Sequence, residues 1–128
     1  MTQNEPLHPL DVTFLLHAAE LLPGDPQGDD YGTLYAAVAR VNARALEHDI
    51  YGSVYFKAAA LLQTLVRLPC LEHSNEAYAW HCAEAYLALN GCRLEYLPKE
   101  AVALVRDAAS GAMGVGLVGR QLCSWGFS

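Results

Sequence analysis

The stretch from about Asn75 to Leu89 is apolar at nearly every position, and it constrains the chain more than any other feature. Ala77, Tyr78, Trp80, Cys82, Ala83, Ala85, Tyr86, Leu87 and Leu89 leave only Glu76, His81 and Glu84 as punctuation. Asn90-Gly91 behind it is a left-handed stop, so the segment reads as a helix. A helix without a polar face must be covered on most sides, so other helices have to wrap it.

Helical spacing runs through nearly all the remaining sequence. Asp11 can cap a helix reaching about Leu22, with Val12, Leu15, Leu16 and Ala19 on its inner face. Pro23, Gly24, Pro26 and Gly28 make a loop, which Asp29 and Asp30 render acidic. A second helix is expected from about Gly32 to Leu46, with Leu34, Val38, Val41 and Ala45 inside. Ser53 caps a third that reaches Leu68, where Pro69 ends it. Lys57, Thr64 and Arg67 mark its thin wet stripe. Residues 93–97 can be extended for a short distance. Pro98 opens a fifth helix with Glu100 in its first turn, ending near Ser110-Gly111. A sixth runs from about Val115 to Ser124. The apolar residues Val115, Leu117, Val118, Leu122, Trp125 and Phe127 predict a docked tail with Trp125 buried, on its own domain or on a second chain. The class is all-α: six helices around a central buried one, in a single domain of residues 1–128 whose first seven are expected to be flexible.

Charge and composition exclude several functions. The net charge is −6, and the eight basic residues are scattered singly, which argues against nucleic acid. No apolar run approaches the roughly 20 residues of a membrane span. The polar, acidic N-terminus lacks the plan of a signal peptide. Cys70, Cys82, Cys92 and Cys123 therefore read as free thiols of a cytoplasmic protein. Only 17% of residues are charged while 53% are hydrophobic, which favours a protein partner or a homo-oligomer.

The run Ala58-Ala59-Ala60-Leu61-Leu62 through Leu68, the loop behind it, and the helix ending Leu89-Asn90-Gly91 together resemble the Fic/Doc family. The stretch Pro98 to Val105, followed by Ala108-Ala109-Ser110-Gly111, is similar to the end of a Doc-type toxin domain. The resemblance covers residues 8 to 123. It implies at most one short two-stranded ribbon, with Trp80 and Tyr86 covered; a second ribbon, or exposure of those rings, would count against the assignment. It also implies transfer of AMP or phosphate to a protein hydroxyl. The family's loop, His-x-Phe-x-Asp/Glu-Gly-Asn-Lys/Gly-Arg, supplies a general base, a magnesium-holding acid and a phosphate cradle. Aligned without gaps on Asn90-Gly91, Pro69 stands at the base position and Leu71 at the Phe. His73 takes the acid, Ser74 the Gly, Asn75 the Asn, Glu76 the Lys and Ala77 the Arg. Asn75 alone matches; a one-residue gap would bring Glu72 to the acid position.

Proline accepts no proton. Carboxylates at 72 and 76 repel phosphate from a helix N-terminus, at roughly 1 kcal/mol per ~4 Å like-charge contact in water and several near a protein surface. The resemblance thus implies a degenerate loop with no catalytic residues, no cofactor and no measurable ATP or magnesium–ATP binding at millimolar ligand. Protein binding is what remains. The rivals are a transferase using Glu72, His73 or Cys70 in new roles, and an unrelated helical scaffold. No inhibitory Ser/Thr-x-x-x-Glu-Gly/Asn segment is present in the chain.

Other constellations have plain readings. Ser74 and Asn75 suit a helix N-cap, and His73 an exposed loop position. Cys70 and His73 have zinc-like spacing, but adjacent His81 and Cys82 diverge by ~100° around a helix, so no metal is expected. Tyr31, Tyr35, Tyr51 and Tyr55 read as core edge or interface. The acidic loop from Asp25 to Asp30 is expected to be solvated and lacks the terminal Glu of a calcium loop.

Overall fold

A computed structural model describes residues 7–24 and 26–127. Residues 1–6, most of the segment expected to be flexible, and Asp25 lie outside the described residues. Leu7 packs half-buried against the core. Six helices follow one another: α1 Val12–Glu20, α2 Gly32–Val41, α3 Val54–Arg67, α4 Asn75–Leu89, α5 Pro98–Ser110 and α6 Val115–Trp125. The all-α class stands. Two ribbons of two residues per strand accompany the helices, where at most one was expected. β1 (Arg44–Ala45) pairs antiparallel with β2 (His48–Asp49), and β3 (Arg93–Leu94) with β4 (Gly126–Phe127).

The helix at the centre is α3, and this corrects the expectation that placed α4 there. α3 packs on α2, α4, α5 and α6. Nine of its 14 residues are buried, against six of 15 in α4. Ala58, Ala59 and Ala60 point in three directions around the axis, and none is exposed. Their small side chains let neighbouring helices approach from each side. α4 buries Tyr78, Ala79, Cys82, Ala83, Tyr86 and Leu87 on one face and leaves Ala77 and Ala88 exposed on the other. Tyr86 is buried and Trp80 half-buried.

The stripe on α3 expected to be wet is mostly dry. Lys57 and Thr64 are each 5% exposed, and only Arg67 reaches solvent. Both buried residues have partners, which is what makes their burial tolerable. Lys57 Nζ donates to the Val41 carbonyl at 3.1 Å and lies 3.4 Å from Asp49 Oδ2. Thr64 Oγ1 donates to the Ala60 carbonyl at 2.8 Å and accepts from Arg40 Nη1 at 3.1 Å.

α2 stops at Val41, five residues before its expected end. Asn42 Nδ2 turns away to the Leu10 carbonyl at 2.9 Å. The chain then doubles back through Leu46 and Glu47, both at positive φ (52° and 67°). Arg44 holds this hairpin through Asp49 Oδ1 and the Glu47 carbonyl, each at 2.6 Å. Tertiary bonds to Leu10 and Asp49 override the helical propensity of Ala45-Leu46-Glu47. In α1, Asp11 accepts from Phe14 N at 2.8 Å as expected, but the buried pair is Leu15 and Ala18, and Leu16 is exposed.

The tail docks on its own domain. Val118 and Leu122 are fully buried. A Cβ at Gly119 would stand 2.6 Å from the Phe56 ring, so glycine is what allows α6 to lie against α3. Trp125 is half-buried rather than buried. Its ring centroid lies 6.2 Å from Trp80 and 5.7 Å from Tyr96. Leu117 and Phe127 remain exposed.

Leu61→Ala is expected to cost about 2–5 kcal/mol in urea unfolding. Leu46→Ala, on the exposed hairpin turn, should stay within about 0.5 kcal/mol. Equal costs at the two sites would mean that α3 is not the centre of the core.

Candidate functional site

The loop aligned with the family signature lies between α3 and α4. Leu68 leaves the helix at φ −124°, ψ 79°, outside the α region that Pro69 disfavours for its predecessor. Pro69 is exposed, whereas Cys70 and Leu71 turn inward and are buried. Asn75, the first residue of α4, holds the turn closed. Its Oδ1 accepts from the amides of Cys70 (3.1 Å) and Leu71 (3.0 Å), and its Nδ2 donates to the Leu71 carbonyl at 3.0 Å. Ser74 sits in the left-handed region at φ 65° and makes no capping bond. Its Oγ instead shares a hydrogen bond with His73 Nδ1 at 2.7 Å. The expected side-chain N-cap is therefore absent at α4: the two residues brace the loop instead.

The outer edge of the loop is covered. The amides of Asp29 and Asp30 donate to the Cys70 carbonyl at 2.7 and 3.0 Å. Glu72 N donates to the Gln27 carbonyl at 3.0 Å, and Gln27 N returns a bond to Glu72 Oε1 at 3.1 Å. The acidic loop, expected to be merely solvated, is thus pinned along residues 70–72. Asp30 Oδ1 also accepts from Gly32 N at 2.9 Å, at the start of α2.

The charge of the site is negative. Residues 69–77 contain Glu72 and Glu76 and no Lys or Arg. Glu72 and His73 are both exposed, with His73 Nε2 4.0 Å from Glu72 Oε1. Glu76 and Ala77 stand at one end of an apolar groove of about 510 Å³ between α4 and α5, with Trp80, Tyr96, Val102 and Val105 in its walls and Arg106 beside it. Tyr96 donates its hydroxyl proton to Glu84 and accepts from Trp80 Nε1 at 3.2 Å, which fixes that wall. Tyr96 and Arg106 escaped sequence reasoning because neither falls in the aligned motif. An aromatic two residues before Pro98 was the available signal.

The rival constellations separate in space. Cys70 is buried while His73 is exposed on the outer surface of the loop. Among the described residues, no three His, Cys, Asp or Glu side chains converge as metal ligands. Burial, against a smaller lowering by a backbone hydrogen bond, pushes the Cys70 thiol up to about 11, the reverse of an activated nucleophile. Burial also raises the Cys82 thiol and the Tyr78 phenol. Tyr31 and Tyr35 are exposed. Tyr51 is engaged with Arg40 Nε at 2.8 Å, and the hydroxyl of Tyr55 lies over Gly126, so the four tyrosines form no common box.

No protein-family model matches the chain. It is 44% identical over 71 residues to "Toxin Doc" of Mycolicibacterium smegmatis (strain ATCC 700084 / mc(2)155), an alignment that takes in 56% of this chain and 55% of that protein. The chain thus spans about half the length of the curated relative it matches. Its similarity is to a Doc toxin. No helix is long and apolar enough to cross a membrane among the described residues.

Two outcomes follow from the loop. Asn75→Ala strips the Cys70 and Leu71 amides of their acceptor at about 1–3 kcal/mol for each buried orphan. Urea unfolding should show that loss, with Asn75→Asp milder because it keeps the acceptor. An unchanged midpoint in Asn75→Ala would mean that the loop does not depend on these bonds. The second concerns alkaline pH. The Cys70 thiol has a folded pKa of about 11, above its ordinary 9.0. The stability it contributes is present below pH 9.0 and is lost as pH climbs through about 11. The urea midpoint should fall across that window, and a midpoint that rises there would reverse the sign.

Proposed function

We propose that this chain is a Doc-like component of a toxin–antitoxin pair that acts by binding a protein rather than by transferring AMP or phosphate. The similarity to a Doc toxin supports the class. The observation that carries the loss of chemistry is Pro69, a residue with no titratable group, at the position the family gives to its base. Three further features agree with it. The amides of Cys70 and Leu71 are consumed by Asn75 Oδ1. Glu76 stands where the family has Lys, with the Glu72 carboxylate in the same loop, and the 26–30 segment bonds along residues 70–72. Rebuilding activity from Cys70 meets a thiol whose burial opposes ionisation.

The protein partner, antitoxin-like or target, is assigned to the groove walled by Trp80, Tyr96 and Val102, with a second copy of the chain as the other candidate. Aromatic and Arg side chains around a concave apolar strip are the composition of binding hot spots. The location is cytoplasmic.

Calorimetry with ATP, with and without magnesium, should give no measurable binding at millimolar ligand, and incubation with labelled ATP should leave candidate target proteins unmodified. Micromolar magnesium–ATP affinity would overturn the reading. Pro69→His, Glu76→Lys and Ala77→Arg together are expected to regain weak magnesium-dependent binding that no single change restores. Co-expression with an antitoxin-like protein encoded beside the gene tests the pair: a complex weakened by Val102→Asp supports the groove, while no complex, or one indifferent to that change, counts against it.

A further inference from the structure

A second cavity, of about 460 Å³, opens where α2, the C-terminal end of α3 and the turn between α5 and α6 meet. Arg40 and Arg67 both line it, and no acidic side chain does. Neither guanidinium forms an ion pair among the described residues. In a chain of net charge −6, two cations share one concavity without a counter-charge.

Both are held in place by neutral acceptors. Arg40 donates through Nε to the Tyr51 hydroxyl at 2.8 Å and through Nη1 to Thr64 Oγ1 at 3.1 Å. Thr64 is itself 5% exposed and fixed by its bond to the Ala60 carbonyl. Arg67 donates through Nη1 to the Ala109 carbonyl at 3.0 Å. Each guanidinium has five N–H donors, so most remain for a ligand, and much of the entropy cost of ordering the side chains is met before binding. Gly114 also lines the cavity, and a Cβ there would meet nothing within 4 Å, so the backbone is open to close approach.

We propose that this cavity is a phosphate site, taking inorganic phosphate or the phosphate group of a small monoester. Two guanidiniums lining one cavity match a dianion in charge, and each carries the donor fork that suits phosphate oxygens. A carboxylate would leave one of them unmatched. The lining stops at Leu68 and includes nothing from residues 69–77, so the proposal is independent of the reading of that loop.

The test is a titration of the full chain with sodium phosphate, followed by amide and arginine Nε resonances, at ionic strength held constant with chloride. Saturable millimolar shifts are expected at residues 111–116 and at the Nε groups of Arg40 and Arg67. Arg120→Gln, an exposed arginine outside the cavity, should titrate like the wild type. Arg67→Gln should bind about tenfold more weakly or worse, the loss of one charged hydrogen-bond partner. Shifts that fail to saturate, shifts centred on residues 74–77, or an Arg67→Gln titration equal to wild type would each overturn the site. An equal response to acetate would also overturn it, since the cavity would then not select a dianion. If Arg67→Gln fails to fold, the wild-type map and the acetate comparison still decide. None of these readouts contains magnesium, so they stand or fall separately from the magnesium–ATP experiment.

Discussion

The fold depends on α3 being buried on every side. A helix can be surrounded in this way only if its side chains leave room, and Ala58-Ala59-Ala60 provides that room while Leu61, Leu62 and Leu65 fill the gaps between neighbours. The polar atoms of the helix then have to find partners inside the protein. Lys57 reaches the end of α2 and the hairpin, and Thr64 bonds back to its own helix and outward to Arg40. The early end of α2, the β1–β2 ribbon and the position of Arg40 all follow from satisfying this one helix.

The loop between α3 and α4 illustrates a conflict between stability and phosphate chemistry. Backbone amides at the start of a helix can hold an anion or an internal acceptor. Here Asn75 Oδ1 takes two loop amides, and the nearby carboxylates suit the positive end of the helix dipole. Each feature favours a closed, well-folded turn. Positive charge lies instead on side chains anchored elsewhere: Arg67 on the end of α5, and Arg106 along the groove.

Much of this was legible in the sequence because the signals are local. Asp11, Ser53, Pro69, Pro98 and Gly111 punctuate the helices where caps and breakers should, and α4 begins and ends where its apolar run does. Errors arose wherever a distant partner decided the outcome. Lys57 looks solvated until Val41 and Asp49 are brought to it. Ala45-Leu46-Glu47 looks helical until Asn42 is drawn to Leu10 and Asp49 to Lys57. The choice of α4 over α3 as the centre came from counting polar residues, although satisfied polar groups can be buried and alanines pack more closely than tyrosines. The loop residues Pro69 to Ala77 could be placed on the helix start by alignment, but the bonds that close the turn, and the acidic loop lying across it, are contacts that spacing does not encode.

The order in which these surfaces are made adds a consequence for synthesis. α3 is translated well before α6, yet α6 covers part of it with Val118 and Leu122 and can approach only because Gly119 clears the Phe56 ring. A ribosome-bound chain that has produced α1 to α5 therefore carries an open apolar trough along its most buried helix. Native closure waits on a late segment, and until that segment emerges the nascent chain offers chaperones, or other copies of itself, a ready place to bind.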